Sequence, residues 1–251
     1  MRDNGGRLWG KFYNDEFEVR SLTKADLPQA LEVLDKSFFL CESACIGSEV
    51  NLPENAQARG ELRELCRIAA DDGVSLVAKH VESGKIVGVS FNKIQPLPPA
   101  GEELFFINFR NEQAKSPQAK RLMDFMIDIN SARDVYKLYN IDTVLELMFL
   151  STLQDWGKRG IATELVRYTV ELTRELSQGI GIDEVHPALR ALRPKAVTAI
   201  YTSKFSQKAG RTTGFTVINT VPYTKMSYNG KTFDQRVNPI HQYAEHVIFL
   251  L

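Results

Sequence analysis

The chain has only three cysteines, Cys41, Cys45 and Cys66. So few, and an odd number, make no disulfide framework. No second cysteine pair and no nearby histidine joins Cys41 and Cys45, so no metal is expected and the thiols read as reduced and half-buried. No apolar run approaches the ~20 residues of a membrane span. Residues 1–14 are polar and contain glycine, without the apolar stretch of a leader. The cytoplasm is the expected compartment. Charge of one sign is also missing: Lys plus Arg and Asp plus Glu number 31 each. That balance argues against binding that rests on neutralising a nucleic-acid backbone. Internal repeats and low-complexity tracts are absent as well.

Apolar residues are plentiful. They make up 43% of 251 residues, which suits one generous domain with a real core. Phe17–Leu22 alternates and predicts a strand. Thr23, with Asp26 as a weak capping partner, opens a helix carrying Leu27, Leu31, Leu34 and Phe38 on one face. Residues 40–52 read as a loop. Pro53 opens a second helix that runs to about Ala70. Ser75–Val81 and Ile86–Ile94 predict a hairpin. Ser116–Tyr139 looks helical. Thr143–Leu150 is nearly all apolar, as expected of a strand buried on both faces. Ile161–Leu176 carries a strong amphipathic stripe. Ala196–Tyr201, a short helix, Phe215–Val221 and Val247–Leu251 complete an α/β order with a mixed sheet.

The densest signal lies where the Thr143–Leu150 strand meets the Ile161–Leu176 helix. Between them run Trp156-Gly157-Lys158-Arg159-Gly160-Ile161-Ala162-Thr163. A helix N-terminus offers unpaired N–H groups and a partial positive charge. Glycines let backbone approach a ligand, and Lys158 and Arg159 add cations. Together they predict an anion site suited to a pyrophosphate. No G-x-x-x-x-G-K-[ST] or G-x-G-x-x-G is present. Gly157-Lys158-Arg159-Gly160 also matches the G-x-x-G loop of an RNA-binding KH module, but that loop joins two helices. Taken alone, the four residues equally fit an ordinary strand–helix turn.

The wider segment resembles motif A of the GNAT superfamily of N-acetyltransferases, [RQ]-x-x-G-x-[GA]. Gly160-Ile161-Ala162 matches its second half, and Gly157 stands where that family has Arg or Gln. The element order from the first strand to Phe215 is also similar. Three segments resemble the insect arylalkylamine N-acetyltransferases more narrowly. They are Phe38-Phe39-Leu40-Cys41-Glu42, Leu145–Ser151, and Thr202-Ser203-Lys204-Phe205-Ser206 ahead of Gly214-Phe215. In the first, Ser43 replaces a proline. The His-x-His pair of vertebrate-type enzymes is absent, and none of His80, His186, His241 and His246 is placed as an obvious base.

The resemblance implies a single GNAT-type domain over residues 1–251. Its mixed, mostly antiparallel sheet would be flanked by helices, with a helical insert at about 101–140 and a tail over 223–251. It implies acetyl-CoA as cosubstrate and a small amine of the dopamine or serotonin class as acceptor. No nucleic acid or membrane is expected as a partner, and the chain is expected to be a monomer or weak dimer. The main chain of Phe149, Leu150 and Ser151 would pair with the pantetheine arm. Gly157, Lys158, Arg159, Gly160, Ile161, Ala162 and Thr163 would hold the pyrophosphate.

Glu42 is then the expected base. An ordinary Glu titrates near ~4.3, and Phe38, Phe39 and Leu40 would raise it by desolvation. Glu146 is the rival: inside an apolar strand, its charge needs partners. Ser203 and Ser206 are candidates to assist the leaving sulfur, although a helix N-cap explains Ser203 as well. Phe105, Phe106 and Phe109 read more readily as packing than as a ring-binding box. Three other readings stay open: acetylation of a polyamine or a protein terminus, a catalytically weak acyl-CoA binder, and the G-x-x-G RNA binder that the charge balance disfavours.

Overall fold

The structure, a computed structural model, describes residues 6–251. Residues 1–5, part of the polar start read above for a leader, lie outside the described residues. The expected mixed and mostly antiparallel sheet is present, with eight strands. They are β1 (Leu8–Phe12), β2 (Phe17–Ser21), β3 (Leu76–His80), β4 (Ile86–Pro96), β5 (Thr143–Thr152), β6 (Ala196–Tyr201), β7 (Thr216–Pro222) and β8 (Tyr243–Leu250). The spatial order follows the chain from β1 to β6, and β8 then slots between β6 and β7. The only parallel pair among the described strands is β5 with β6.

The α-helices of five or more residues are α1 (Leu27–Val33), α2 (Ser43–Gly47), α3 (Ala56–Asp71), α4 (Phe105–Glu112), α5 (Pro117–Ser131), α6 (Val135–Tyr139), α7 (Ile161–Ser177) and α8 (Lys204–Thr212). Strand alternation sorts the core into two layers. On one face, Val77, Val89, Phe91 and Met148 pack with Leu31 of α1, Leu62 and Leu65 of α3, and Leu122 and Phe125 of α5. On the other, Leu76, Val87, Leu145, Leu147 and Val197 pack with Ile161, Leu165 and Val166 of α7. Gly88 lets α7 start close to the sheet: a Cβ there would sit 2.6 Å from Ile161 Cγ2.

Several expected boundaries shift. β1 was not foreseen; it pairs with β2 through Lys11 and Glu18 and has a partly exposed, weakly alternating sequence. The N-cap of α1 is Asp26 rather than Thr23, and the Thr23 hydroxyl closes the turn before it, accepting from Asp26 N at 3.2 Å and donating to Asp26 Oδ2 at 2.8 Å. α1 then widens into a π-turn at Leu34–Phe38. The expected loop at 40–52 holds α2 instead. The insert divides into three helices, because Asp134 accepts from Tyr136 N and Lys137 N and restarts the chain as α6. Among the described residues, no helix is long and apolar enough to cross a membrane.

Candidate active site

β5 and β6 run side by side only from Leu145–Val197 to Leu147–Ala199. Beyond that the strands separate, while β5 stays bonded to β4 as far as Thr152. A register shift at Phe91/Asn92 leaves Met148 out of the β4–β5 pairs, and such a bulge bends the strand where the split begins. The β6-facing main chain of Met148–Thr152 is therefore free of strand partners. Strand backbone in that state seeks hydrogen bonds elsewhere. One carbonyl, that of Thr152, accepts from Ser37 Oγ at 2.8 Å.

The split opens into a cavity of about 810 Å³. Phe149, Leu150, Ser151, Gly157, Lys158, Gly160, Ile161, Ala162 and Thr163 line it. Gly160 is the N-cap of α7 with φ 80°, and no side chain caps the helix. A left-handed backbone suits glycine, and the uncapped first-turn N–H groups remain available to an anion. Lys158 next to it has φ 64°, an uncommon conformation for a residue with a Cβ.

Arg159 is not in the cavity wall. Its guanidinium donates to Glu16 Oε1 at 2.7 Å and lies 4.9 Å from the Trp156 ring centre. Lys158 is the cation of the turn that faces the cavity, and Lys208 of α8 joins it. Sequence reasoning did not single out Lys208, which becomes relevant only once α8 packs beside α7.

Glu42 lies in the same cavity wall. It is the N-cap of α2: its carboxylate accepts from Ala44 N at 2.9 Å and Cys45 N at 2.7 Å. Thr202 Oγ1 also donates to it, at 2.5 Å. Tyr223 OH donates to the Thr202 carbonyl and holds that residue in place. Three apolar neighbours were expected around Glu42. Phe39 is fully buried in the core and Leu40 is 43% exposed, so of the three only Phe38 shares the cavity with Glu42.

Ser203 and Ser206 reach the cavity from α8. They form a reciprocal capping box, with Ser203 Oγ accepting from Ser206 N at 3.2 Å and Ser206 Oγ accepting from Ser203 N at 3.2 Å. Their hydroxyls stand 3.0 Å apart. The N-cap alternative for Ser203 is thus present in the geometry, alongside its place in the cavity. Tyr201 lines the cavity too; its buried hydroxyl has no hydrogen-bond partner among the described residues, and burial raises its pKa.

His241 was not placed by sequence reasoning, and the fold brings it to the site. It lines the cavity, and its Nδ1 accepts from Lys204 N at 3.1 Å. Burial lowers its pKa, Glu42 opposes that shift, and Lys204 adds to it. With Nδ1 accepting a main-chain N–H, the ring proton of the neutral form sits on Nε2.

Glu146 also borders this cavity. It is 5% exposed, and Gln95 Nε2 and Asn130 Nδ2 donate to its carboxyl. Burial pushes its pKa up to about 7, against the lowering effect of those two amides. Phe106 and Phe109 are buried in the core on the α1, α3 and α5 face of the sheet and Phe105 packs against it, while Phe106 also borders a second cavity. Among the described residues there is no cluster of three or more metal-binding side chains.

Solved structures share this fold across nearly the whole chain. Arylalkylamine N-acetyltransferase 2 from Aedes aegypti superposes with a TM-score of 0.75 and 19% identity, covering 93% of this chain and 98% of that one. A polyamine N-acetyltransferase of Drosophila melanogaster that forms N-acetylagmatine gives 0.72 and 17%, over 94% and 100% of the two chains. The C-terminal condensation domain of Ebony, in complex with beta-alanyl-dopamine, gives 0.61 and 12%, over 94% and 99%. No protein-family profile and no curated sequence matches the chain. At these identities the likeness establishes the fold: the chain has the GNAT fold of N-acetyltransferases.

Proposed function

We propose that this chain is a one-domain acetyl-CoA-dependent N-acetyltransferase acting on a small primary amine, with an arylalkylamine as acceptor. The observation that carries the reading is one cavity joining an uncapped helix N-terminus and a split strand edge to Glu42, Thr202 and His241. The wall fits the cosubstrate. Free first-turn amides and Lys158 suit a pyrophosphate, and nothing lies within 4 Å of where a Gly160 Cβ would be. The β6-facing side of the main chain along Phe149, Leu150 and Ser151 suits an amide-bearing pantetheine arm. Bound there, acetyl-CoA supplies an activated acetyl group as a thioester.

The protein's residues then have three tasks. An alkylammonium with a pKa of ~10 must lose its proton before it can attack, which costs about 4 kcal/mol at pH 7. Glu42 takes that proton, directly or through water, with Thr202 and the α2 amides fixing its orientation. The amine nitrogen bonds to the carbonyl carbon as the carbon–sulfur bond breaks. Ser203 and Ser206, which line the same cavity, donate a hydroxyl hydrogen bond to the departing thiolate in this reading. Phe38, Phe125 and Leu122 supply the apolar wall that favours an aryl acceptor.

The test is acetyl-CoA binding by calorimetry, followed by thiol release with dopamine, serotonin, spermidine and a peptide amine. The reading expects binding and release fastest with an arylalkylamine. Binding without turnover on any amine would instead support a catalytically weak acyl-CoA binder. Absence of binding would remove the whole reading.

A further inference from the structure

A second cavity, of about 330 Å³, lies between the helical insert and the sheet face of β5, β6 and β8. Glu146 borders both cavities. The lining of this space is uneven in hydrogen-bonding character. No lysine or arginine is part of it among the described residues. His246, also in its wall, is 2% exposed, and its buried Nδ1 has no hydrogen-bond partner among the described residues. Burial pushes its pKa down to about 4, against a main-chain hydrogen bond at Ile129, so the ring is neutral at pH 7. Tyr136 OH is already committed to the Gln95 carbonyl at 3.2 Å. Glu146 receives two amide donors and no cation.

A carboxyl has about four lone-pair sites, so Glu146 retains capacity beyond those two bonds. The cavity therefore presents spare acceptors at Glu146 and His246 Nδ1 and no cationic donor among the described residues. Leaving such groups unpaired in a buried site is costly. Phe106, Ile127 and Val144 give the wall an apolar side, while Ser131, Asp134 and Thr198 add polar groups to it. Three residue steps, ~10 Å of extended chain, separate Glu146 from Phe149. That is comparable with the length of a hydroxyphenylethylamine or a short diamine.

We infer that this second cavity is the distal half of the acceptor pocket. It selects amines that carry a hydrogen-bond donor, a hydroxyl or a second amine, at the end opposite the acetylated nitrogen. Glu146 and His246 Nδ1 accept from that donor. This rests on the proposed acetyl transfer and specifies its acceptor.

Two matched pairs test it in the wild-type protein: tyramine against phenethylamine, and 1,4-diaminobutane against butylamine. The kcat/KM ratio within at least one pair is expected to reach about tenfold or more, because a built acceptor site penalises the analogue without the donor. Preference in the first pair identifies a hydroxyl, and in the second an amine. His246→Leu should bring the preferred ratio toward one. Measurable turnover with both ratios near one overturns the inference and leaves the acetyltransferase reading standing. If no amine is turned over, calorimetric binding of the same pairs in the presence of CoA decides. Tighter binding of the donor-bearing member, weakened by His246→Leu, supports the inference, and equal affinities overturn it.

Discussion

Glu146→Gln should alter the pH dependence of stability, and the sign follows from burial. Burial raises the Glu146 carboxyl from 4.5 to about 7, so the folded protein binds this proton more tightly than the unfolded chain does. Its contribution is full below pH 4.5 and is lost as pH rises through about 7. At 1.36 kcal/mol per tenfold change in proton affinity, the loss is about 3 kcal/mol. His246 works in the opposite direction. Its pKa falls from 6.5 to about 4, so its contribution is present above pH 6.5 and lost as pH falls through about 4, again by about 3 kcal/mol. In the wild type the two nearly cancel between about pH 4.5 and 6.5.

Glutamine keeps the shape of the protonated acid and cannot ionise, so the variant sheds the loss at high pH. Its amide also meets the Gln95 and Asn130 donors, and one misplaced hydrogen bond costs about 1 kcal/mol. The variant should therefore be slightly less stable than wild type at pH 5 and about 2 kcal/mol more stable at pH 8. Urea unfolding of both proteins at pH 5, 6, 7 and 8 measures this. A stability difference that is the same at pH 5 and pH 8 refutes the reasoning.

Other residues give sharper readings of the main cavity. Glu42→Gln should lower kcat at least about a hundredfold and flatten its pH profile, with a stability cost near 1 kcal/mol from the weakened α2 cap; unchanged rates across pH would remove Glu42 from the mechanism. Lys158→Ala should weaken CoA binding severalfold, and less so at high salt. Arg159→Ala should do much less, because its guanidinium is committed to Glu16; equal losses in calorimetry would contradict that assignment. Gly210→Ala places a Cβ 2.2 Å from Tyr201 Cε2. Overpacking of this kind costs about 1–3 kcal/mol, and an unchanged urea midpoint would show that the ring does not occupy that position.

What the sequence made legible follows from how local each signal is. β5, the turn and α7 were readable because a buried strand is a continuous apolar run and α7 has a full apolar stripe. Ala196–Tyr201 was readable to the residue for the same reason. β1 was missed because a short edge strand with exposed Leu8 and Lys11 carries little alternation. α2 was missed because it has only five residues and owes its start to the Glu42 carboxylate, a contact that composition does not reveal. The insert was seen, but not its division at Asp134. His241 and Lys208 escaped because neither sits in a local motif. His241 reaches the cavity only through the tertiary contact with Lys204, 37 positions earlier. The insertion of β8 between β6 and β7 is likewise a long-range pairing that no local pattern encodes.

The central claim is that the cavity between β5 and β6 transfers an acetyl group from CoA to an amine. The most direct measurement quantifies free thiol and N-acetylated tyramine together, by thiol titration and mass spectrometry, after incubation with acetyl-CoA. The account predicts equal amounts of the two products, and thiol release that depends on the amine. Thiol release without acetylated amine, or no release with any amine tested, would contradict it.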